Sequence, residues 1–403
     1  MTPRRTGKFK RIVWPLAAAQ TLLWAGAFYL FPSLLGAWER DLGWSKTELT
    51  GAFTTALLLS AFIAPVVGRE IDRGHSHALF PTATLLAAVL LGLLSTVTQL
   101  WQFYIVWAFL GVVMAGTLYE PCFAILTRYM GTRAQKAITL VTLLGGFAGT
   151  LAFPSAHALL DAIGWRGVVL VFAGLIAFVA TPLNYYAVSQ APTADPDPAP
   201  PEPAAPNTGK QLDTVFVPAL WFLGIAFAMI AFDHAALLAH LLTLLAERGV
   251  HEDVAVLAAA MIGPMQVTGR LAMLSVEKAL SPINVAMFSF GALFVAAVAL
   301  FSTRGEPMLL VVFVLFQGAG YGVTTILRPV LIADLLGRRR FGVIAGFLAI
   351  PYIGAFAVAP SLASVTWSIG GYDWVIAFAG AAALIGLLAL IGAAKTARPG
   401  TTS

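Results

Sequence analysis

The chain has 403 residues, of which 59% are hydrophobic and 11% are charged, and its net charge is +5 at neutral pH. Soluble domains average about 25% charged residues, so this composition excludes an ordinary soluble fold and indicates a lipid bilayer. The single cysteine, Cys122, excludes an internal disulfide and a cysteine-based metal cluster. The basic residues lie between apolar stretches, a distribution typical of membrane topology and not of nucleic-acid binding.

Apolar stretches long enough to cross a membrane recur along the whole chain. A crossing needs roughly 20 apolar residues in a helix. The first stretch, 12–38, follows a basic amino terminus and is too long for the core of a signal peptide, so we interpret it as a retained span. Eleven further spans are predicted at 47–68, 77–98, 100–127, 135–158, 166–189, 214–245, 253–276, 282–302, 306–333, 341–364 and 373–394.

The connecting segments differ in charge between the two sides of the membrane. Lysines and arginines number seventeen on the side of the amino terminus and five on the opposite side. Because basic residues are retained in cytoplasmic loops, we predict that both termini face the cytoplasm.

The predicted spans fall into two equal groups. Segment 191–212 is rich in proline and acidic residues, so we interpret it as an extended linker between bundles at 1–190 and 213–403. Segments 131–154 and 337–360 both begin with glycine and a basic cluster and reach proline after 23 steps. The sequence therefore predicts an all-α membrane protein with twelve transmembrane helices in two pseudo-symmetric six-helix bundles, an architecture typical of transporters.

The sequence lacks the Gly-x-x-x-x-Gly-Lys-Ser/Thr loop that binds nucleotide phosphates. No nucleophile with a suitable base is evident either. We therefore expect no enzymatic activity and no cofactor, and we expect transport driven by an ion or solute gradient.

The loop after the second span carries a family motif. Residues 68–74 (Gly-Arg-Glu-Ile-Asp-Arg-Gly) resemble the loop signature of the major facilitator superfamily. Residues 43–46, Ala64-Pro65 and segment 129–146 are similar to the bacterial branch related to monocarboxylate and oxalate/formate transporters. The first-span lysine of monocarboxylate transporters is absent here, so no role is carried over for it.

This resemblance implies a transporter that works by alternating access in the bacterial inner membrane, and we expect a monomer. It also implies that Gly68, Asp72 and Arg73 belong to a gate. We expect Asp72 to cap a helix on the cytoplasmic side and to pair with an arginine such as Arg128.

Four charged residues lie well inside the predicted spans and are functional candidates, because burying a charge in a membrane is costly. Arg270 resembles the eighth-span arginine that binds substrate carboxylate in monocarboxylate transporters, although Gln266 replaces the family's aspartate one turn earlier. A planar guanidinium suits a carboxylate. The alternative is that Arg270 pairs with a loop acid such as Glu277.

Two candidates precede prolines at similar depths of the two halves: Glu120 before Pro121, and Arg328 before Pro329. Proline bends a helix and frees a backbone carbonyl, which suits a gating element. On one interpretation, Arg328 contacts the substrate or forms a contact with Glu120 that alternates during the transport cycle. On the other, it forms a structural salt bridge near the cytoplasmic side.

The remaining candidates are Asp233 with its neighbour His234. A desolvated carboxyl group can bind and release a proton in the physiological range, so we predict a proton-coupling role for this pair and for Glu120. Alternatively, Asp233 pairs with an arginine on another helix or reaches a watery cavity. Aromatic side chains of cavity-prone spans are further substrate-binding candidates: Trp24, Tyr119 and Tyr321.

These residues favour secondary transport of a small organic anion, coupled to protons or to a counter-anion. The alternative is proton-driven export of hydrophobic or cationic compounds, recognised by Asp233 and Glu120. A membrane enzyme or receptor would leave the duplicated halves unexplained. Since the second half holds three of the four intramembrane charges, we expect it to supply most of the binding and coupling chemistry.

Overall fold

A computed structural model describes residues 3–130, 133–190, 217–276, 279–303, 306–336 and 341–397. Secondary structure in these ranges is helical throughout, without strands, which confirms the predicted all-α class. The chain forms two compact units, Met1–Gly209 and Lys210–Ser403, which we call the N-terminal and C-terminal units. The predicted linker, 191–212, lies outside the described residues.

The N-terminal unit contains nine α-helices and two π-helices among its described residues. They are α1 (Pro3–Leu23), a π-helix (Trp24–Tyr29), α2 (Leu30–Leu42), α3 (Lys46–Asp72), α4 (Ser76–Leu94), α5 (Leu100–Thr117), α6 (Tyr119–Met130), α7 (Ala134–Gly145), α8 (Ala148–Leu175), a second π-helix (Ile176–Ala180) and α9 (Thr181–Ser189).

The C-terminal unit is built from five longer helices in its described ranges. They are α10 (Pro218–Glu247), α11 (Glu252–Val276), α12 (Pro282–Ser302), α13 (Pro307–Leu336) and α14 (Phe341–Thr396). Helix α10 packs against α11, α13 and α14.

Ten apolar helical stretches are long enough to cross a membrane in the described ranges. Two of them, Lys136–Ser189 and Phe347–Thr396, have 54 and 50 residues and so suffice for two crossings each. Glycines interrupt both: Gly164 at φ 64° and Gly371 at φ 70° lie in the left-handed region that glycine tolerates. The ten stretches thus provide six crossings per unit, consistent with the predicted twelve.

The turn between the first two crossings shows how local sequence ends and starts a helix. Gly43 closes α2 at φ 71°. Ser45 Oγ accepts a hydrogen bond from the Glu48 N–H, and the Glu48 carboxylate accepts one from the Ser45 N–H at 2.8 Å. This reciprocal cap satisfies two backbone donors that the first turn of α3 leaves open.

Each unit has its own apolar core. In the N-terminal unit, the rings of Phe31 and Phe53 stack at 4.2 Å, and both meet Trp107 edge-on. In the C-terminal unit, Phe227 packs against Phe290. Large apolar side chains are also exposed on the surface of both units, as in Phe62, Phe178, Phe288, Ile350 and Ile369. In a bilayer such side chains contact acyl chains.

The two π-helices of the N-terminal unit lie against one another. A Cβ placed on Gly26 in the first would lie 2.9 Å from Cδ1 of Ile176, which begins the second. Glycine at position 26 therefore allows this close approach.

Glycines also allow close contact between two helices within each unit. A Cβ on Gly111 of α5 would lie 2.2 Å from the Ala56 carbonyl oxygen of α3. In the C-terminal unit, a Cβ on Gly269 of α11 would lie 2.4 Å from the Ala319 carbonyl oxygen of α13. Small residues at such crossings let backbones pack directly in a membrane.

We predict that Gly111→Ala destabilises the protein, because the added methyl group meets backbone that cannot move aside; overpacking typically costs about 1–3 kcal/mol. Thermal unfolding of the purified protein in detergent would show a lowered Tm. The matched control is Gly92→Ala in α4, where a Cβ meets nothing within 4 Å. An equal loss of stability in both variants would contradict the proposed close contact.

Candidate functional site

The centre of α10 is buried on all sides, because three helices of the C-terminal unit surround it. Asp233 lies in this region and is fully buried. The Asp233 carboxyl group is therefore shielded from both water and lipid. Burying an ionised carboxylate costs free energy unless hydrogen bonds stabilise it or a proton neutralises it.

Gln317 of α13 is the hydrogen-bond partner of Asp233. Its Nε2 donates to Asp233 Oδ2 at 3.0 Å, and Gln317 is itself 1% exposed. The other oxygens of the two groups, Asp233 Oδ1 and Gln317 Oε1, have no hydrogen-bond partner. Within the described ranges no cation forms an ion pair with Asp233, so the expectation of an arginine partner has no support there.

His234 stacks on Tyr321, one turn beyond Gln317 on α13. The ring centroids are 3.4 Å apart and the planes are inclined by 8°. The Tyr321 hydroxyl is hydrogen-bonded to the Tyr352 hydroxyl of α14 at 2.9 Å. Because side chains four residues apart share a helix face, one face of α13 meets both Asp233 and His234.

Arg328 extends this cluster towards the C-terminal end of α13. Its guanidinium carbon lies 4.5 Å from the centre of the Tyr352 ring, within the range of a cation–π interaction. Arg328 is half-buried, and no described carboxylate forms an ion pair with it. The structure therefore brings together four of the predicted residues, namely Asp233, His234, Tyr321 and Arg328.

Arg270 lies on α11 beside the same part of α13. Its Nε donates to the Gly322 carbonyl oxygen at 3.0 Å, and the side chain is buried. Gln266, one turn earlier, is also buried. Its backbone packs closely against Gly322, where a Cβ would lie 2.4 Å from the Gln266 carbonyl oxygen. Glu277, the alternative partner of Arg270, lies outside the described residues.

A second polar and aromatic cluster lies in the N-terminal unit. Trp24 begins the first π-helix, and its ring centre lies 4.7 Å from that of Tyr119. Phe28 and Phe123 pack on the outer sides of this pair. The Trp24 indole N–H is buried without a hydrogen-bond partner. Glu120 follows Tyr119 and is exposed at the surface of the unit.

Gln20 has a structural role here that the sequence analysis did not assign. Its Nε2 donates to the Thr117 carbonyl oxygen at 2.7 Å. In an uninterrupted helix this carbonyl would accept the N–H of residue 121, but Pro121 has none. The helix breaks at Leu118, between α5 and α6, and Gln20 satisfies the freed carbonyl.

The predicted gate residues lie around the turn that follows α3. Arg128 Nη1 donates to the Ile71 carbonyl oxygen at 3.2 Å, and Arg73 forms an ion pair with Glu70. Gly68 lies in α3, where a Cβ would meet no atom within 4 Å. The side chain of Asp72 lies outside the described residues, so its predicted pairing with Arg128 stays a prediction.

The family model of the Major Facilitator Superfamily matches residues 16–305, more than half of the chain. An MFS-type transporter of Gibberella zeae is 30% identical over 133 residues, and this match spans 32% of the chain and only 30% of that relative.

Two solved structures have the same fold. A bacterial homologue of the human lysosomal transporter Spinster, inward-facing and occupied, is 14% identical with a TM-score of 0.75 and 98% of both chains covered. The nucleoside transporter NupG is 15% identical with a TM-score of 0.68, covering 96% of this chain and 99% of that one. At such low identity the likeness concerns the fold alone.

We predict that Gln20→Leu destabilises the protein by about 1–3 kcal/mol, because the Thr117 carbonyl is left buried without a donor. The change should cost much less in a Pro121→Ala background, where residue 121 regains an N–H for that carbonyl. Thermal unfolding of the two single variants and the double variant measures this coupling. Additive effects would show that Gln20 does not replace the missing donor.

Proposed function

We propose that this chain, which belongs to the Major Facilitator Superfamily and is therefore a multi-pass membrane transporter, carries a small organic anion by alternating access, coupled to protons or to a counter-anion. The observation that carries this proposal is the combination, in one unit, of a buried carboxyl group without a cation partner in the described ranges and two arginines inside membrane-spanning helices. The buried carboxyl group suits a proton, and the two arginines suit an anion.

Asp233 is the proposed proton carrier. An ionised carboxylate buried without a countercharge costs several kcal/mol, whereas a neutral carboxylic acid does not. The closed surroundings of Asp233 therefore suit the protonated form. The ionised form needs contact with water or a cation, which alternating access provides once per cycle. His234 and Glu120 are the other proposed participants in proton coupling.

Arg270 and Arg328 are the proposed anion-binding residues. A guanidinium keeps its charge in a membrane and presents several N–H donors in one plane, which match the two oxygens of a carboxylate. Arg270 uses Nε to bind the backbone of α13, which fixes the orientation of its planar group. Tyr321 and Gln266 of the C-terminal unit, and Tyr119 and Trp24 of the N-terminal unit, are further proposed substrate-binding residues.

The finer assignments follow from the sequence motifs. Similarity of residues 43–46 to the monocarboxylate and oxalate/formate branch favours a monocarboxylate-like substrate. The proposed location is the bacterial inner membrane, with both termini cytoplasmic and a monomer as the functional unit. In this proposal Gly68, Asp72, Arg73 and Arg128 control opening on the cytoplasmic side, where Arg128 already holds the turn after α3.

A second candidate function is proton-driven export of hydrophobic or cationic compounds. It is favoured by the two unpartnered oxygens, Asp233 Oδ1 and Gln317 Oε1, which are acceptors and would suit a donor such as an ammonium group. The stacked His234 and Tyr321 rings beside them offer an apolar face.

We predict that Arg270→Ala abolishes stabilisation by small carboxylates. Purified protein would be screened by thermal shift against formate, acetate, lactate and oxalate. Loss of a charge-assisted hydrogen bond of about 1.5–3 kcal/mol weakens binding roughly ten- to a hundredfold. The Arg40→Ala variant, which removes the same charge from an exposed position in the last turn of α2, should respond like the wild type.

Asp233→Asn distinguishes the two candidate functions. For an anion transporter it should leave carboxylate binding intact but remove the dependence of uptake into proteoliposomes on an imposed proton gradient. For a cation exporter it should remove stabilisation by organic amines, while Arg270→Ala keeps it. If no carboxylate stabilises the wild type more than Arg270→Ala, the anion proposal is wrong.

A further inference from the structure

The two unpartnered oxygens in α10 and α13 belong to side chains that are already joined to each other. Gln317 Nε2 donates to Asp233 Oδ2, while Asp233 Oδ1 and Gln317 Oε1 both lack a donor. Both are acceptors, and both are buried. Buried polar atoms in a folded protein are almost always hydrogen-bonded, so a pair of bare oxygens at one contact requires a cause.

From this contact we infer that Asp233 and Gln317 form a carboxylic acid–amide pair, held by two opposed hydrogen bonds and closed by one proton on Asp233. The acid O–H at Oδ1 donates to Gln317 Oε1, and the Gln317 N–H donates to Oδ2. A single proton thus satisfies both bare oxygens at once. Gln317 becomes a positioning residue that fixes which oxygen carries the proton.

No other group near Asp233 accounts for these oxygens. The titratable and charged side chains of the cluster that includes Asp233 are His234 on α10, Arg270 on α11, Tyr321 and Arg328 on α13, and Tyr352 on α14. Arg270 donates to the Gly322 backbone, Arg328 lies on Tyr352, and Tyr321 bonds to Tyr352 and stacks on His234. Within the described ranges none of them is bonded to Asp233.

Losing the proton changes the contact in a defined way. The O–H bond at Oδ1 breaks, the electron pair stays on the carboxylate, and the proton leaves to water or to substrate. Only the hydrogen bond from Gln317 Nε2 then remains, and Oδ1 and Oε1 are again without a donor. When Asp233 is charged, the contact between α10 and α13 keeps one hydrogen bond, which the charge strengthens. It loses the second bond, however, and leaves a carboxylate buried without a countercharge among the described residues, which costs more. Protonation thereby favours the packed arrangement of these two helices.

This inference deepens the proposed proton site and rests on it. Its test is infrared spectroscopy of the purified full-length protein over a range of pH, with the Asp233→Asn spectrum subtracted to isolate one carboxyl group. We expect a carboxylic acid C=O band that disappears in Asp233→Asn. In Gln317→Leu the band should move to higher wavenumber, because the C=O loses its donor and the O–H loses its acceptor.

The matched control is Asn184→Leu. Asn184 is also a fully buried amide, but it bonds to Thr84 in the N-terminal unit. This variant should leave the Asp233 band unmoved. Gln317→Glu provides a second test, because a protonated glutamate can restore both hydrogen bonds and should return the band towards the wild-type position.

Two results would overturn the inference: no Asp233 acid band at any pH, or a band that Gln317→Leu does not shift. The second result is separate from failure of the proposed function, whereas an acid band absent at every pH would also remove Asp233 as the proton carrier. If the band behaves as expected while Asp233→Asn still transports with full dependence on a proton gradient, the acid–amide pair stands and proton coupling through Asp233 is wrong. If Asp233→Asn loses that dependence while Gln317→Leu leaves the Asp233 band unmoved, proton coupling through Asp233 stands and the acid–amide pair is wrong.

Discussion

Inside a bilayer every polar group must find its partner within the protein, and several of the polar side chains buried in the described spans bond to backbone carbonyls. Gln20 binds the carbonyl that Pro121 leaves free, Arg270 binds Gly322, and His240 binds Pro360. These side chains support helices. Asp233 differs because it is ionisable, because it is hydrogen-bonded to a side chain, and because no cation pairs with it within the described ranges. Its burial therefore has no structural explanation in backbone bonding, which is why it carries the functional proposals.

The all-helical class and the membrane crossings could be predicted because hydropathy and charge bias are properties of long segments. Each internal repeat is followed by a glycine, Gly164 or Gly371, at positive φ where a long helical stretch is interrupted. Such positions are visible in sequence because few other residues tolerate that conformation. Span ends were less accurate: the first crossing extends from Phe9 to Leu42 and not only over 12–38.

Partners of the candidate residues could not be predicted, because they depend on which helix faces meet. Asp233 was recognised as unusual from its apolar surroundings, but nothing local identified Gln317, 84 positions away, as its donor. The spacing of Gln317 and Tyr321 by four residues was the available signal, since it places an amide and a ring on one face. Likewise, the proline at 121 indicated a bend, whereas the side chain that satisfies the freed carbonyl came from another span.

The meeting of the two π-helices at Gly26 and Ile176 has a mechanical consequence. A π-turn holds one residue more than an α-turn at nearly the same cost in hydrogen bonds. The first and sixth crossings therefore each contain one extra residue in a π-turn, and the two π-turns contact each other at Gly26 and Ile176. If this extra residue moves along the helix, the residues that it passes rotate by about 100° around the helix axis and shift by about 1.5 Å along it. Their backbone groups stay hydrogen-bonded within the helix, so none is exposed to lipid. The Trp24 side chain, at the start of this turn, would then point in a different direction around the helix axis, while the two ends of the helix stay in place.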